Sequence, residues 1–459
     1  MKNDWKKSLS ILQNLLPRGE IRLDAPTLQK NSGDKWFASC RPDAVALPGT
    51  TESISRILAW ANQNKIPVTP RGAGFGYVGG CVPAQGGIVL SLERMNRIKE
   101  IHAGDFVAVV EPGVLTKQLQ DAVEKKGLYY PPDPASRADC SLGGNIATNA
   151  GGPRCLKYGV TRDYVLGLEI VLADGSILKL GSRTHKNKTG FDLHRLFVGS
   201  EGMLGVVSEA TLKLLPLPPF RAALSVGFGS MSIAAKAIRE IFRAGFLPSA
   251  LEVADAFTLN AAQKRTGNSV LAGCHAHLIV ELDGQEKSVR SELETLEKLL
   301  SKLQTNFAQR ALGAAACEKI WQLRREFSYG LRDTGLTKLN QDIVVPRSCL
   351  EKLFQFAERL QKKHGFPIAC FGHAGDGNIH VNVMVNLKQT GAITKSNRVL
   401  DELFRQVIAW NGVITGEHGI GLAKKNWWPL AASAEVRAAH CAIKKALDPN
   451  GILNPGKFL

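Results

Sequence analysis

The chain has 459 residues, of which 44% are hydrophobic and 45 are glycine, and its formal net charge is +17. This length exceeds one ordinary domain and the hydrophobic fraction excludes a disordered chain, so we expect two globular domains. No apolar run reaches the roughly 18 residues of a membrane helix. The nine cysteines form no C-x-x-C pair, which argues against a disulfide framework, a zinc knuckle or an iron–sulfur cluster.

The positive charge is spread along the chain, which favours anionic substrates or partners. No nucleic-acid-binding motif accompanies it, so we expect no DNA or RNA partner. The opening residues lack the apolar run and cleavage site of a signal peptide, and we expect a cytoplasmic protein. Peripheral contact with the inner membrane and a homodimeric state stay open.

The first half of the chain alternates short strands, helices and glycine-rich loops. Residues 1–40 form a lead-in with an amphipathic helix over 5–16. A strand and a Thr-capped helix follow over 42–67, and a second helix is predicted over 115–126. The pair Asp174-Gly175 predicts a β-hairpin. Three prolines in 212–220 predict a domain boundary near residue 218.

In the second half, strands and helices alternate in an order that fits a split βαβ arrangement, with helices on one face of an antiparallel sheet. One helix carries a clear apolar stripe at Val289, Leu293, Leu296, Leu300 and Leu303. We assign residues 219–428 to this second domain. Residues 429–459 form a C-terminal segment, in which a helix ends at an Asp-Pro-Asn-Gly turn.

Two glycine-rich runs indicate a large ligand. Residues 74–79 match G-x-G-x-x-G, but two prolines precede this loop and no helical pattern follows it, which argues against a Rossmann unit. Such a loop can still close backbone N–H groups around a pyrophosphate, and Arg71 could add a charge. The run over 141–152 offers the same close approach of backbone.

Eight motifs make the chain similar to a known family. They are PRGAGFGYVGG, PPDPAS, SLGGNIATNAGG, LADGS, EGMLGVVSEATLKLLPLP, FGHAGDGNIHVNV, GEHGIG and LDPNGILNPGK. In this order they resemble the FAD-linked oxidases and dehydrogenases of the vanillyl-alcohol-oxidase type, in particular the branch with the glycolate oxidase D-subunit, D-lactate dehydrogenase and D-2-hydroxyglutarate dehydrogenase.

The resemblance implies an α+β protein. Residues 41–218 would form a PCMH-type FAD-binding domain of two α/β subdomains, to which residues 429–459 return. Residues 219–428 would form an α+β cap domain with a ferredoxin-like antiparallel sheet and a metal site. FAD would be bound without a covalent link, because Phe75 stands where covalent members carry a His.

The resemblance also assigns the residues that hold FAD. They are Arg71, Gly72, Ala73, Gly74, Phe75, Gly76, Gly79, Gly80, Pro132, Asp133, Pro134, Gly143, Gly144, Asn145, Gly151, Gly152, Gly202, Gly205, Val206, Val207 and Asn454.

A cluster of metal-ligand residue types lies near the C-terminus. The Asp376-Gly377 turn predicts a hairpin that brings His373 and His380 together. Period-two alternation places Asn382 on the same strand face as His380. Two such His are more often structural than metal ligands, but the resemblance implies that His373, His380 and Glu417 bind zinc or manganese.

Further residues are candidates for catalysis. His418 is the candidate general base, since a pKa near 6.5 suits proton removal at neutral pH. It would converge with Glu417 only if Gly416 and Gly419 bend the backbone. Arg324 and Lys338 match family positions that bind a substrate carboxylate. Asn382 is a further candidate catalytic residue. Arg325 is the alternative to Arg324.

The resemblance implies oxidation of a small D-2-hydroxy acid, such as D-lactate, glycolate or D-2-hydroxyglutarate, to the 2-oxo acid with hydride transfer to flavin N5. The electrons would pass to an external acceptor: a quinone, a cytochrome, an electron-transfer flavoprotein or a partner subunit. Three alternatives stay open: a non-catalytic FAD-binding subunit, a flavin oxidase of another alcohol, and a metal hydrolase.

Overall fold

The structure is a computed structural model, and it describes residues 5–267 and 269–459. These residues form two compact units. The first unit comprises the chain up to Gly151, Val160–Leu217 and Glu417–Leu459, and the second comprises Gly152–Gly159 and Pro218–Gly416. In the structure the chain passes from one unit to the other at 217/218 and again at 416/417. The domain boundaries predicted at residues 218 and 428 stay predictions.

The first unit contains most of the short elements. Its helices are α1 (Trp5–Leu15), α2 (Ala25–Lys30), α3 (Thr51–Gln63), α4 (Thr116–Glu124), α5 (Leu142–Thr148), α7 (Leu193–Phe197), α14 (Trp428–Ala431) and α15 (Ala434–Leu447). Its strands are β1 (Ile21–Arg22), β2 (Ala44–Ala46), β3 (Val68–Arg71), β4 (Ile88–Ser91), β5 (Ile98–His102), β6 (Val107–Val110), β7 (Leu128–Tyr129), β8 (Val165–Val171), β9 (Ile177–Gly181), β10 (Val206–Lys213) and β11 (Leu215–Pro216).

The strands of the first unit form two main sheets. One has the order β1-β2-β4-β3, in which β2, β4 and β3 are parallel and β1 is antiparallel. The other is antiparallel, with the order β5-β6-β10-β8-β9. Its β8–β9 hairpin turns at Asp174-Gly175, which confirms the predicted hairpin. β7 and β11 form a separate pair.

The helices of the first unit confirm several sequence signals. Thr50 caps α3 through its side chain, which accepts a 3.2 Å hydrogen bond from the backbone N of Ser53. Leu12 lies in α1 and Leu16 directly follows it. Both are buried in one core with residues of α3 and the first sheet. The predicted lead-in also supplies a strand, β1, that pairs with β2.

The second unit is built from longer elements. Its helices are α6 (Cys155–Tyr158), α8 (Met231–Arg243), α9 (Ala256–Thr266), α10 (Glu286–Leu300), α11 (Ala314–Asp333), α12 (Leu350–His364) and α13 (Ala392–Ala409). Its strands are β12 (Phe220–Phe228), β13 (Ala250–Asp255), β14 (Ala276–Gly284), β15 (Thr305–Leu312), β16 (Thr337–Val344), β17 (Ile368–His373) and β18 (Asn378–Val385). Short 3-10 helices span Thr161–Tyr164 and Lys425–Trp427 in the first unit, and Ser269–Leu271 and Arg347–Cys349 in the second.

These seven strands form one antiparallel sheet with the order β15-β12-β14-β13-β17-β18-β16. Its first four strands have the order of a ferredoxin-like βαββαβ unit, with α8 and α10 as the connecting helices. The hairpin of β17 and β18, which was predicted from Asp376-Gly377, extends this sheet.

Helices cover both faces of this sheet, so the expectation of helices on one face was wrong. Residues 276–283 of β14 are buried without alternation, as expected for a strand covered on both sides. One face packs on α8, α10 and α12, and the other on α9 and α11. The expectation rested on the order of the elements, whereas α9 and α11, which are not the connecting helices of the βαββαβ unit, cover the second face and bury residues such as His277 and Glu281.

The stripe of α10 is confirmed at four of its five positions: Val289, Leu293, Leu296 and Leu300 are buried, and the helix ends before Leu303. Among the described residues, no helix is both long enough and apolar enough to cross a membrane.

Candidate active site

In the first unit, the two glycine runs of the sequence lie against each other. The backbone N of Ala73 donates a 3.2 Å hydrogen bond to Ser141 Oγ, and Ser141 caps α5 by accepting from Gly144 N. A Cβ built at Gly72 would lie 2.4 Å from Ser141 Oγ. The structure therefore joins two of the predicted FAD-binding segments through backbone that has no room for side chains.

The first loop has the conformation that glycine permits. Gly74 and Gly79 have φ of +73° and +72°, which disfavours any residue with a Cβ. The loop runs from β3 to β4 without a helix, as the sequence analysis predicted. These glycines fit a loop that approaches a large anionic cofactor through its backbone.

Arg71 supports this loop from within the protein. Its guanidinium donates to the carbonyl oxygens of Gly33 (2.5 Å) and Lys30 (3.5 Å) and to Cys81 Sγ (3.1 Å). A Cβ at Gly74 would lie 2.0 Å from Arg71 Nη2. These contacts fix the guanidinium at the start of the loop, and the role of Arg71 in binding FAD stays a prediction.

Asn454 connects three predicted FAD-binding segments. Its side-chain amide donates to the carbonyl oxygens of Gly80 (2.9 Å) and Glu201 (2.7 Å), and its backbone N donates to Val68 O (2.7 Å). Gly202, beside Glu201, has φ of +70°. The C-terminal segment, the first loop and the 202–207 loop therefore meet at one buried amide.

Most of the other predicted FAD-binding residues also lie in the first unit, whereas Gly152 is the first residue of a segment of the second unit. Residues 131–134 are buried, and Pro132 O accepts a 3.1 Å hydrogen bond from Gln120 Nε2. A Cβ at Gly143 would lie 2.6 Å from Pro112 Cβ, and one at Gly205 would lie 2.5 Å from Ile170 Cγ2.

His418 lies beside the first glycine loop. Its ring centroid is 5.3 Å from that of Tyr77, with 34° between the ring planes. Residues 416–419 form no strand, and Gly419 has φ of +84°, so the backbone bends at one of the two expected glycines. Tyr77 was not predicted as a site residue.

Glu201 holds the segment that follows His418, and sequence reasoning missed it. Its carboxylate accepts hydrogen bonds from the backbone N of Ile420 (2.7 Å) and Gly421 (2.8 Å). Burial raises the pKa of Glu201 above its ordinary value, although these two N–H groups oppose the shift. Its position directly before Gly202 in a glycine motif was the only signal.

In the second unit, strand register brings polar side chains to one face of the sheet. Phe371 pairs with His380 and Ala369 with Asn382, so His380 and Asn382 share a face as predicted. The centroids of His373 and His380 are 5.5 Å apart, and both side chains are buried. The structure therefore brings together the two histidines that the sequence paired.

Glu252, which was not among the predicted site residues, contacts both a histidine and an arginine on this face. Its Oε1 lies 2.5 Å from His373 Nδ1, and its Oε2 lies 2.6 Å from Arg324 Nε. Burial alone would raise the pKa of Glu252, but the charges of His373 and Arg324 outweigh burial and lower it to about 2. A lone Glu in the apolar strand ALEVAD was a usable signal of a buried, paired acid.

The structure separates Arg324 from its alternative, Arg325. Arg324 faces Glu252, and its guanidinium carbon lies 4.8 Å from the Phe371 ring centroid. Arg325 is exposed and pairs with Glu318. Arg324 is therefore the residue on the side of the histidines.

Lys338 and Asn382 occupy the same sheet face. Lys338 Nζ donates a 2.6 Å hydrogen bond to Ser328 Oγ. Burial, and then the charges of Arg332 and Arg324, lower the pKa of Lys338 to about 8. Asn382 is fully buried, and its Nδ2 donates to the carbonyl oxygens of Ala369 and His380.

Glu417 stands next to this unit in the chain. It follows Gly416, the last residue of the second unit, and begins the returning segment of the first. The N of Gly416 donates to Asp342 O (2.8 Å) and Oδ2 (3.0 Å), and a Cβ at Gly416 would lie 2.5 Å from Asn378 Nδ2. The residue before Glu417 is thus fixed beside the strand that starts at Asn378 and carries His380.

Family models cover most of the chain. The FAD binding domain matches residues 42–181, and the C-terminal domain of FAD linked oxidases matches residues 217–458, which is more than half of the chain. This chain belongs to the FAD-linked oxidases. It is an oxidoreductase with FAD as cofactor, and the resemblance found in its motifs is confirmed.

Several curated relatives are similar over nearly their whole length. The glycolate oxidase subunit GlcD of Bacillus subtilis is 39% identical, covering 91% of this chain and 89% of the relative. The D-lactate dehydrogenase of Anaerostipes hadrus is 33% identical, covering 92% and 90%. The D-2-hydroxyglutarate dehydrogenase of Stutzerimonas stutzeri is 32% identical, covering 97% of each chain.

Solved structures show the same fold at low identity. The 4-ethylphenol oxidase from Gulosibacter chungangensis has a TM-score of 0.80 at 20% identity, covering 100% of this chain and 97% of that one. p-Cresol methylhydroxylase has a TM-score of 0.81 at 18% identity, with the same coverage. The α+β fold with a PCMH-type FAD-binding domain is thereby confirmed.

Proposed function

We propose that this FAD-linked oxidase converts a small D-2-hydroxy acid to its 2-oxo acid with the help of a divalent metal ion. The observation that carries this proposal is the pair His373 and His380, buried 5.5 Å apart on a polar sheet face that also carries Lys338 and is faced by Arg324. The relatives named above, for glycolate, D-lactate and D-2-hydroxyglutarate, support the same substrate class.

We assign the metal ion to His373, His380 and Glu417. Two imidazoles and one carboxylate suit zinc or manganese and leave positions open for substrate. Glu417 is chosen because it is bonded to Gly416, which packs against Asn378 at the start of β18. When bound, such an ion would supply a Lewis acid for the substrate hydroxyl.

Buried acceptors on this face also fit a bound ligand. Within the described residues, the amide oxygens of Asn340, Asn378 and Asn382 are buried and accept no hydrogen bond. Buried polar atoms are rarely left unpaired, so these oxygens indicate donors that a substrate hydroxyl or water would provide. Asn340 and Asn382 face each other across β16 and β18.

The chain's own residues would divide the remaining work. His418 takes the hydroxyl proton at a ring nitrogen. Arg324 and Lys338 bind the substrate carboxylate, and Asn382 orients the hydroxyl end. When bound, FAD would supply the acceptor for the hydride that leaves the substrate's Cα.

The electrons then leave to an external acceptor, for which we propose a quinone, a cytochrome, an electron-transfer flavoprotein or a partner subunit. Three of the matched proteins are named as glycolate oxidase subunits, which supports a partner. The homodimer and the peripheral membrane contact named in the sequence analysis stay predictions.

The two histidines provide the direct test. His373→Ala and His380→Ala should each abolish turnover of the hydroxy acid, while the purified variants retain FAD, because these residues belong to the sheet of the second unit. Full turnover in both variants would remove the metal from the reaction. His364→Ala, a histidine of α12 that contacts Glu402, is the matched control and should remain active.

A further inference from the structure

The pairing of β13 with β17 places Glu252 directly opposite His373. Both side chains are buried, with 1% and 5% of their surfaces exposed. Glu252 Oε1 lies 2.5 Å from Nδ1 of His373, so one specific ring nitrogen is engaged by the carboxylate.

This contact fixes the orientation of the His373 ring. When His373 binds a metal ion, its neutral imidazole would donate from Nδ1 and bind the ion through the lone pair on Nε2. A carboxylate behind a ligating histidine also makes the ring a stronger donor to the metal. We propose that Glu252 is a positioning residue that fixes His373 for a divalent metal ion, an inference that rests on the metal site of the proposed function.

Arg324 stabilises the ionised carboxylate of Glu252 at this buried position. Its Nε lies 2.6 Å from Glu252 Oε2, and its guanidinium carbon lies 4.8 Å from the ring centroid of Phe371 and 5.6 Å from that of Phe327. A buried charge without a partner is strongly destabilising, so each partner keeps the other in place. Glu252 thereby connects the proposed substrate anchor Arg324 with the proposed metal ligand His373.

Glu281 shows what a structural acid on the same sheet face looks like. It is also buried, and it accepts hydrogen bonds from Arg154 (2.8 Å), Trp321 Nε1 (2.6 Å) and Ser249 Oγ (3.3 Å). None of these three donors is a metal-ligand residue type. Glu281 is therefore a matched control for the burial and charge of Glu252.

The test measures Mn²⁺ affinity of the full-length, FAD-loaded protein by the electron paramagnetic resonance signal of free Mn²⁺. Glu252→Gln should weaken Mn²⁺ binding roughly 10- to 100-fold, the usual effect of losing such a partner. Glu281→Gln should leave the affinity unchanged, and His373→Ala should remove most of it. The flavin spectrum and the melting temperature report on folding.

A second variant covers the case in which Glu252→Gln leaves Arg324 buried without its partner. The double variant Glu252→Gln with Arg324→Gln contains neither charge and should bind Mn²⁺ as weakly as Glu252→Gln. Wild-type affinity in both variants, with His373→Ala still defective, would overturn the role of Glu252 alone. Absence of Mn²⁺ and Zn²⁺ binding in the wild-type protein would instead overturn the metal site, and the inference with it.

Discussion

The side-chain amide of Asn454 donates a 2.7 Å hydrogen bond to the backbone carbonyl of Glu201, 253 positions away in the chain. The same amide donates to Gly80 O, so one residue near the C-terminus joins two loops predicted to bind FAD. Asn454 is buried, with 1% of its surface exposed.

Asn454→Ala should therefore weaken FAD binding. The change removes the Asn454 donor from the buried carbonyl of Glu201 and from the part-buried carbonyl of Gly80, at a cost of about 1–3 kcal/mol for the buried group. The ratio of FAD to protein after desalting, and the melting temperature with and without added FAD, measure the effect. Asn450→Ala is the control in the same segment, since Asn450 is exposed and its side-chain amide contacts Asn62. Equal FAD retention in both variants would contradict the role of Asn454.

Gly74→Ala should lose FAD and stability together. A left-handed conformation costs a residue with a Cβ about 1–2 kcal/mol, and here the Cβ would also collide with Arg71 Nη2, 2.0 Å away. Gly127 has φ of +70° but nothing within 4 Å of a built Cβ. Gly127→Ala thus shows the conformational cost alone in a thermal melt. The account is contradicted if both variants melt alike and retain FAD alike.

The sequence could predict local features of the second unit but not the contacts across its sheet. The hairpin of His373 and His380 was predictable because Asp376-Gly377 specifies the turn and period-two alternation specifies the faces. The contact of Glu252 with His373 spans 121 positions and depends on which strands are neighbours, so no local pattern contains it.

The same limit explains the error about the sheet faces. Read along one strand, polar residues such as His277 and Glu281 do not show that a helix covers their face of the sheet. In the structure His277 contacts Ser225 Oγ (2.7 Å) and the Phe327 ring of α11. Glu281 pairs with Arg154, and both His277 and Glu281 are buried. Burial of paired polar groups cannot be predicted until the partner's position is known.

The affinity for the substrate should depend on pH through Lys338. Its pKa is lowered to about 8 by burial and by the charges of Arg332 and Arg324, so the ammonium form predominates below this pH and is lost above it. The KM of an anionic substrate should be constant below about pH 8 and rise above it. Lys338→Met should give a high KM at every pH.

Arg332 offers a way to shift that profile. It is exposed, and Arg332→Gln removes one of the charges that lower the pKa of Lys338. The rise in KM should therefore move to higher pH in Arg332→Gln. A pH profile of KM that is the same in this variant, in Lys338→Met and in the wild-type enzyme would show that Lys338 does not bind the substrate.

His418→Ala should slow the reduction of the flavin far more than it weakens substrate binding. Removal of a general base typically costs 10²- to 10⁴-fold in rate. Anaerobic rapid mixing separates the two quantities, because the limiting rate reports reduction and the half-saturating concentration reports binding. His440→Ala, at an aromatic cluster with Trp428 and Phe458, is the control in the same unit. An unchanged limiting rate in His418→Ala would assign His418 a structural role.

The most direct test of the central claim is anaerobic bleaching of the flavin absorbance by a panel of D- and L-2-hydroxy acids, before and after treatment with a chelator. We predict rapid bleaching by at least one D-acid and not by its L-enantiomer, loss of that bleaching after chelation, and recovery when Zn²⁺ or Mn²⁺ is added. Bleaching that is insensitive to the chelator would contradict the metal, and no bleaching by any of the acids in the FAD-loaded protein would contradict the proposed reaction.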